Sequence, residues 1–381
     1  MNWILKKSRL LLTLLIFVSL VTSQTNLYAN EDCIMCPPGN VFYVDQSVTN
    51  PGDGSSWANA FPEFRDAVGA SFVCPNVTEI WVAAGLYKPT GGTDQDTYFV
   101  MKNNMGWYGG FNGTETLRSQ RDWIANPTIL SGDLLGNDDY SVVPPGNIID
   151  NSLHVINNYL TGIDSTAIVD GFHITAGNAR IGTPNHIGGG LYNKEASPTI
   201  ANCKFYYNNS IYGGAAIYSD ESDFSVTNCS FYNNYTMMRG GAMYCDESSW
   251  TLTNCSFLDN HAMEPDSGIG GAIFNNGSRP TIVNCTFANN SAGHIGGAIQ
   301  NNGFADAFIY NCIFWDNGDE IANTSDFPNG SPAIPNSIAD IIIQNCIIKN
   351  SGGSGSGWNP YYGYDYGNNS EMDPMLSLIH I

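Results

Sequence analysis

The chain reads as an all-β protein, a right-handed parallel β-helix solenoid with a short N-terminal capping helix, and three observations predict this. Asn-Cys pairs recur at Asn202-Cys203, Asn228-Cys229, Asn254-Cys255, Asn284-Cys285, Asn311-Cys312 and Asn345-Cys346, in steps of 26, 26, 30, 27 and 34 residues. Glycines opening Gly-Gly-Ala-like boxes keep the same beat at Gly188, Gly214, Gly240, Gly270 and Gly296, each followed by an apolar residue at Leu191, Ile217, Met243, Ile273 and Ile299. Phe205, Phe231, Phe257, Phe287 and Phe314 follow the Asn-Cys pairs, each three residues before an Asn, with Ile348 in the sixth place. A fixed period in this range marks a solenoid, in which each repeat buries its apolar positions against its neighbours. The segments are short, rich in β-branched and aromatic residues and broken by Gly and Asn, with no helical stripe, so they read as strands.

From the N-terminus, Lys6, Lys7 and Arg9 precede the apolar run Leu10 to Val21 and the small residues Thr22 and Ser23, the three-part layout of a secretory signal peptide. The run is shorter than the roughly 20 residues a bilayer-spanning helix needs. Cleavage after Ser23 or after Ala29 both fit. The expected organisation is a signal peptide over 1–29, an N-terminal cap and irregular first coils over 30–130, β-helix repeats over 131–350, and a Gly/Asn/Tyr-rich tail over 351–381. The spacing of Ala60, Phe64, Ala67 and Val68 predicts an amphipathic helix over Trp57 to Val68 that covers the open end of the solenoid. Early strands are expected at 79–87, 98–101, 106–111, 128–130, 153–156 and 167–174.

Within each repeat, Ile200, Val226, Leu252, Ile282 and Ile309 lie two before the Asn, whereas the Cys lies one after it and the Phe three after. Strict alternation would put these sets on opposite faces. A left-handed Asn would bend the chain so that both face one interior, with the glycines at another corner and three short strands per coil. Cys203, Cys229, Cys255, Cys285, Cys312 and Cys346 then form an interior ladder of free thiols behaving as small apolar residues. The recurring Asn-Cys-Ser/Thr triplets follow from the repeat rather than marking glycosylation. Cys33 and Cys36 are candidates for a disulfide or a labile metal site, and the states of Cys74 and Cys245 stay open.

A formal charge of −21, with only 14 Lys plus Arg, excludes nucleic acid and anionic lipid as natural partners, because both call for clustered positive charge. Cations, neutral glycans and host or neighbour proteins remain. No stretch after the signal is apolar enough to span a membrane.

The Gly-Gly-Ala-Ile boxes and Phe-x-x-Asn motifs, interleaved over roughly 188–317, resemble the repeats of chlamydial polymorphic outer-membrane proteins and of exported bacterial right-handed β-helix proteins. The stretches Glu79 to Tyr87, Tyr108 to Glu115 and Thr128 to Asp133 are similar to the N-terminal coils of such proteins from environmental bacteria, which extends the resemblance over about 40–350. It implies a secreted or cell outer membrane surface protein with a pectin lyase-like fold, often an adhesin, and often carried by a C-terminal sorting or transporter domain. Related proteins continue beyond Asp373-Pro374-Met375-Leu376, so a truncated C-terminus is expected here.

Three readings of function follow. Lys194-Glu195, Asp220-Glu221 and Asp246-Glu247 fall at one place on successive coils, where Cα atoms should be about 4.8 Å apart. Like charges at that spacing repel by about 0.9 kcal/mol per pair in water. Glu195, Asp220, Glu221, Asp246 and Glu247 are therefore candidate ligands of Ca²⁺, a hard cation that takes carboxylate oxygens; the alternative is that these side chains splay into solvent at a turn. No cofactor is otherwise required. A polysaccharide lyase or glycoside hydrolase acting on acidic polysaccharide is the second reading, since the resembled group includes pectin-degrading enzymes. Arg239, in a column otherwise held by Ile187, Gly213, Ile269 and Ile295, is its one candidate, and the paired-Asp and Gly-His-Gly patterns of pectin hydrolases are missing. The third reading is adhesion or glycan binding through outward aromatics at Tyr206, Tyr232 and Trp315, a column interrupted by Leu258 and Ala288. The sequence as a whole favours a non-catalytic extracellular or outer-surface protein of this third kind. An acidic cleft bringing Arg239 to Glu221 and Glu247 would favour the enzyme instead.

Overall fold

A computed structural model describes residues 36–180, 186–303, 305–324 and 341–375. The expected signal peptide and Cys33 lie outside the described residues. One coil shows the plan. Leu191–Lys194 runs along a first sheet, Thr199–Ala201 along a second and Lys204–Tyr206 along a third, and Asn209–Ser210 forms a fourth, before Ile217–Asp220 returns to the first. Each strand pairs in parallel with its counterpart one repeat on: Leu191 with Ile217, Ile200 with Val226, Phe205 with Phe231 and Asn209 with Tyr235. The coil therefore has four strands, not the expected three. The fourth is two residues long, and Asn209 and Ser210 are both buried, so it offers no alternation to read.

All four corners use left-handed backbone. The expected Asn corner is present in every repeat, from Asn202 at φ 52° to Asn345 at φ 56°, and the Gly corner likewise, with Gly214 at φ 57°. A Cβ on Gly214 would lie 2.4 Å from the carbonyl oxygen of Ile217, so that corner is closed to other residues. The remaining two corners fall at Tyr207, Asn233, Asp259, Asn289 and Asp316, and at Glu195, Glu221, Glu247, Gly277 and Gly303.

Bent in this way, the chain sends both residue sets inward. Phe205, Phe231, Phe257, Phe287 and Phe314 stack with ring centroids 4.5–5.0 Å apart and planes within 9° of parallel, and Ile348 continues the column. The six ladder cysteines are free and buried, and Cys245 lies in the same core. The N–H of Cys203 donates to Cys229 Sγ at 3.3 Å, and that of Cys312 to Cys346 Sγ at 3.3 Å. Beside them runs a row of buried amides. Asn234 is typical: its Nδ2 donates to Phe205 O at 2.9 Å and to Asn260 Oδ1 at 2.9 Å, while its Oδ1 accepts from Asn208 Nδ2 at 3.1 Å. A buried polar row is tolerated because its members are hydrogen-bonded to one another.

At the N-terminal end the helix differs from expectation. Trp57–Asn59 is a single 3-10 turn, and the α-helix is Phe64–Ser71. Pro62 separates the two, since the residue before a proline is pushed out of helical backbone. Phe64, Ala67, Val68 and Ala70 face the main core, where the Phe64 ring packs 5.0 Å from both Phe99 and Trp107. Cys36 is bonded to Cys74, at a Cα–Cα distance of 5.4 Å, which corrects the expectation that Cys36 serves a partner at Cys33. Proximity in sequence misled there: the turn after the helix carries Cys74 back to the start of the solenoid. An unexpected strand, Val41–Val44, pairs with Glu79–Ala83 at one end of the second sheet. Residues 98–101 contribute only a single bridge, Phe99 to Ile156. In the tail, Tyr364–Asp365 adds to the second sheet beside Ile342–Ile343, and Tyr362 is buried in the core.

Candidate functional site

The acidic residues singled out by their repeat lie along one edge of the first sheet. Asp220 and Asp246 end paired strands and point outward, while Glu195, Glu221 and Glu247 occupy the left-handed corner that follows and are exposed. Their charges are partly met from within the row. Lys194 forms an ion pair with Asp220 and approaches Glu221 at 3.9 Å. Asp246 Oδ1 accepts from Asn276 Nδ2 at 2.7 Å, and burial raises the pKa of its carboxyl. Among the described residues no three His, Cys, Asp or Glu side chains are grouped as a metal ion would need.

Arg239 does not reach across to the corner glutamates, and among the described residues it pairs with neither Glu221 nor Glu247. Its guanidinium lies over the Phe274 ring, 5.5 Å from the centroid, and the neighbouring Tyr244 hydroxyl is 3.5 Å from Asp246 Oδ2. Tyr244 belongs to an outer row on the first sheet, Tyr192, Tyr218, Tyr244 and Phe274, in register on successive coils with centroids 5.0–5.4 Å apart. Ile187 and Ile269 cover this row. The signal for it was present, because these aromatics stand one place after the apolar residue of each glycine box.

The third sheet carries the more open aromatic group. Tyr206, Tyr232 and Trp315 alternate with the buried phenylalanines and point outward. Tyr206 and Tyr232 stack at 4.9 Å with their planes 4° apart. Trp315, three coils beyond Tyr232 with Leu258 and Ala288 between, is separate and lies under the ammonium of Lys349, 5.6 Å from its ring centroid. Two residues that repeat analysis passed over complete the group. Tyr207 packs edge-on against Tyr206 at 5.7 Å, and Tyr140, from the loop between the early coils, lies 4.5 Å from Tyr207. Nothing local in the sequence could pair Tyr140 with Tyr207, 67 residues apart. His173 stands edge-on to Tyr206 at 5.9 Å, and burial lowers its pKa to about 4, so it is a neutral neighbour at physiological pH.

A depression of 270 Å³ is lined among others by Ser291, His294, Ile295, Asp316 and Asp319, beside the fourth sheet. No helix among the described residues is long and apolar enough to cross a membrane.

No curated protein and no solved structure matches the chain. Residues 146–326 match the family model described as right handed beta helix region. That span covers the most regular coils, and with the all-parallel pairing of the four sheets it identifies an all-β, right-handed parallel β-helix repeat protein.

Proposed function

We propose that this chain is an exported, surface-acting β-helix protein that binds glycan without cleaving it, through the tyrosine patch of Tyr140, Tyr206, Tyr207 and Tyr232. The observation that carries the reading is the near-parallel stack of Tyr206 on Tyr232, flanked by Tyr207 and Tyr140. Because the rings stack along the solenoid axis, they shingle rather than form one flat plate, and leave ring edges and part of their faces at the surface. Apolar ring surface next to hydroxyls suits the C–H and O–H groups of a sugar. Tyr207 adds support, since it holds φ 53° at a corner where the following coils have Asn or Asp. A bulky residue in that conformation costs free energy, and such outliers gather at binding sites. The charge of −21 directs the reading to neutral rather than polyanionic glycans. Export rests on the layout of residues 1–23, and an adhesive role at the outer surface follows from the resemblance to polymorphic outer-membrane proteins.

The polysaccharide lyase or hydrolase reading keeps one specific observation, Arg239 over the Phe274 ring on the same sheet as the Tyr244–Asp246 pair. The two readings separate in a single experiment. The full chain is passed over immobilised neutral and acidic polysaccharides, and the eluates are assayed for new reducing ends and unsaturated sugar. Retention on a neutral glycan with no product supports binding; product from an acidic polysaccharide, lost in Arg239→Ala, supports the enzyme and sinks the binding reading.

A further inference from the structure

Buried oxygens that lack partners concentrate in one part of the molecule. Asp138 Oδ1, Asp150 Oδ1, Asn151 Oδ1 and Asn178 Oδ1 are closed to solvent and have no hydrogen-bond partner. Asn151 and Asn178 are 0% and 3% exposed. Their remaining polar atoms are engaged, Asn151 directly with Asp138, and Asp150 and Asn178 with backbone groups of the same loop. Asn151 Nδ2 donates to Asp138 Oδ2 at 2.9 Å, which also accepts from the Tyr140 hydroxyl at 3.1 Å. Asp150 Oδ2 accepts from the N–H of Leu135 at 3.1 Å. Asn178 Nδ2 donates to Ile148 O at 2.6 Å, and its own N–H donates to Ser152 O at 2.8 Å. These bonds fix which end of each amide is oxygen.

Asp133 plays a different part. Its carboxylate accepts from the N–H groups of Gly136, Asn137 and Asp138 and so folds the loop, leaving its charge nearby. Lys88, a cation that touches this loop, donates to the carbonyl of Leu134 at 3.1 Å. Four buried acceptors are thus left unpaired, beside the equally unpartnered hydroxyl of Ser152, and a buried acceptor left unpaired is costly.

We propose that Asp138, Asp150, Asn151 and Asn178 form a binding site for a hard divalent cation of the Ca²⁺ type. The donor set is two carboxylates and two amide oxygens. Oxygen-only ligands exclude the thiolate and imidazole chemistry that zinc favours. Protein-derived amide oxygens fit Ca²⁺, which accepts many flexible oxygen ligands, better than Mg²⁺, which retains its waters. A bound ion would join the 131–151 loop to the short strand Asn178–Ala179 of the fourth sheet. The site differs from the carboxylate row on the first sheet and does not depend on glycan binding.

The test uses the full chain in Ca²⁺-free buffer with Tb³⁺ as the probe, excited through Tyr140, whose hydroxyl bonds Asp138. Sensitised emission that Ca²⁺ competes away is expected, together with a thermal midpoint that rises with Ca²⁺. Asp138→Asn and Asp150→Asn should each weaken Ca²⁺ binding by about tenfold or more. Their midpoints in EDTA should equal or exceed that of the parent, since each keeps the shape and removes a buried charge, and this reports folding separately. Glu221→Gln, on the first-sheet row, should leave binding unchanged. A midpoint indifferent to Ca²⁺ with no sensitised emission would overturn the proposal, as would binding lost in Glu221→Gln and kept in both loop variants.

Discussion

Asn317 donates from Nδ2 to the carboxylate of Glu320 at 2.6 Å, and this bond ends a row of stacked amides. Asn208, Asn234, Asn260 and Asn290 each donate to the Oδ1 of the next, and Asn290 donates to Asn317. All five amide dipoles point the same way, toward Glu320. That residue is fully buried, and desolvation pushes its pKa up to about 7 against an ordinary 4.5, more than the Asn317 bond lowers it.

A raised carboxyl pKa means that the folded state holds the proton more tightly than the unfolded state does. Stability from Glu320 is therefore present below about pH 4.5 and is lost as the pH rises through about 7. The shift corresponds to roughly 3 kcal/mol. Glu320→Gln, which keeps an acceptor for Asn317 and carries no charge, should flatten this part of the stability profile and raise the midpoint at pH 8. Thermal unfolding of both proteins between pH 4 and 8 checks this, and parallel curves would refute it.

Glu221 sits at φ 49° in a corner that Gly277 and Gly303 occupy in later coils. Left-handed backbone costs a non-glycine residue roughly 1–2 kcal/mol, of which glycine's greater unfolded freedom gives back roughly 0.5–1. Glu221→Gly should thus stabilise the protein by about 0.5–1 kcal/mol, read by chemical denaturation. A loss of stability would mean that the Glu221 side chain makes a contact worth more than the strain.

Much of the fold was legible in the sequence because it is written as repetition. The Asn and Gly corners, the interior Cys and Phe columns and the outward Tyr206 and Tyr232 all follow from one period and the left-handed tolerance of Asn. What escaped was what has no period or no alternation. Asn209–Ser210 is too short to show a face, Pro62 displaced the helix by several residues, and Cys74 lies 38 residues from Cys36. The Tyr140–Tyr207 contact and the orphaned oxygens around Asn151 come from a loop meeting the coils, so no local pattern could announce them. The carboxylate row was legible as a row, but not the Lys194 ion pair or the Asn276 bond that answer part of its charge.

The ladder thiols should be inert in the native protein. They are 1–3% exposed, which keeps a reagent in solution away from the sulfur; burial pushes the Cys229 and Cys312 thiols well above their ordinary range, whereas hydrogen bonds from neighbouring thiols pull Cys285 and Cys346 down, so access rather than thiolate content sets the inertness. In a Cys33→Ser background, a thiol reagent should label none of the seven free cysteines until denaturant is added, and all seven afterwards. Rapid labelling of any ladder cysteine in the folded protein would show that the column is open to solvent.

The most direct test of the glycan-binding account is the affinity of the full chain for a retained neutral polysaccharide, compared between the parent and Tyr206→Ala/Tyr232→Ala. Leu258 and Ala288 already stand in the same outward column, so the alanines should not disturb the coils. The account predicts a loss of about tenfold or more in the double variant, and little change in Trp315→Ala, whose ring stands apart from the patch. Unchanged affinity in the double variant, with the fold intact, would contradict it.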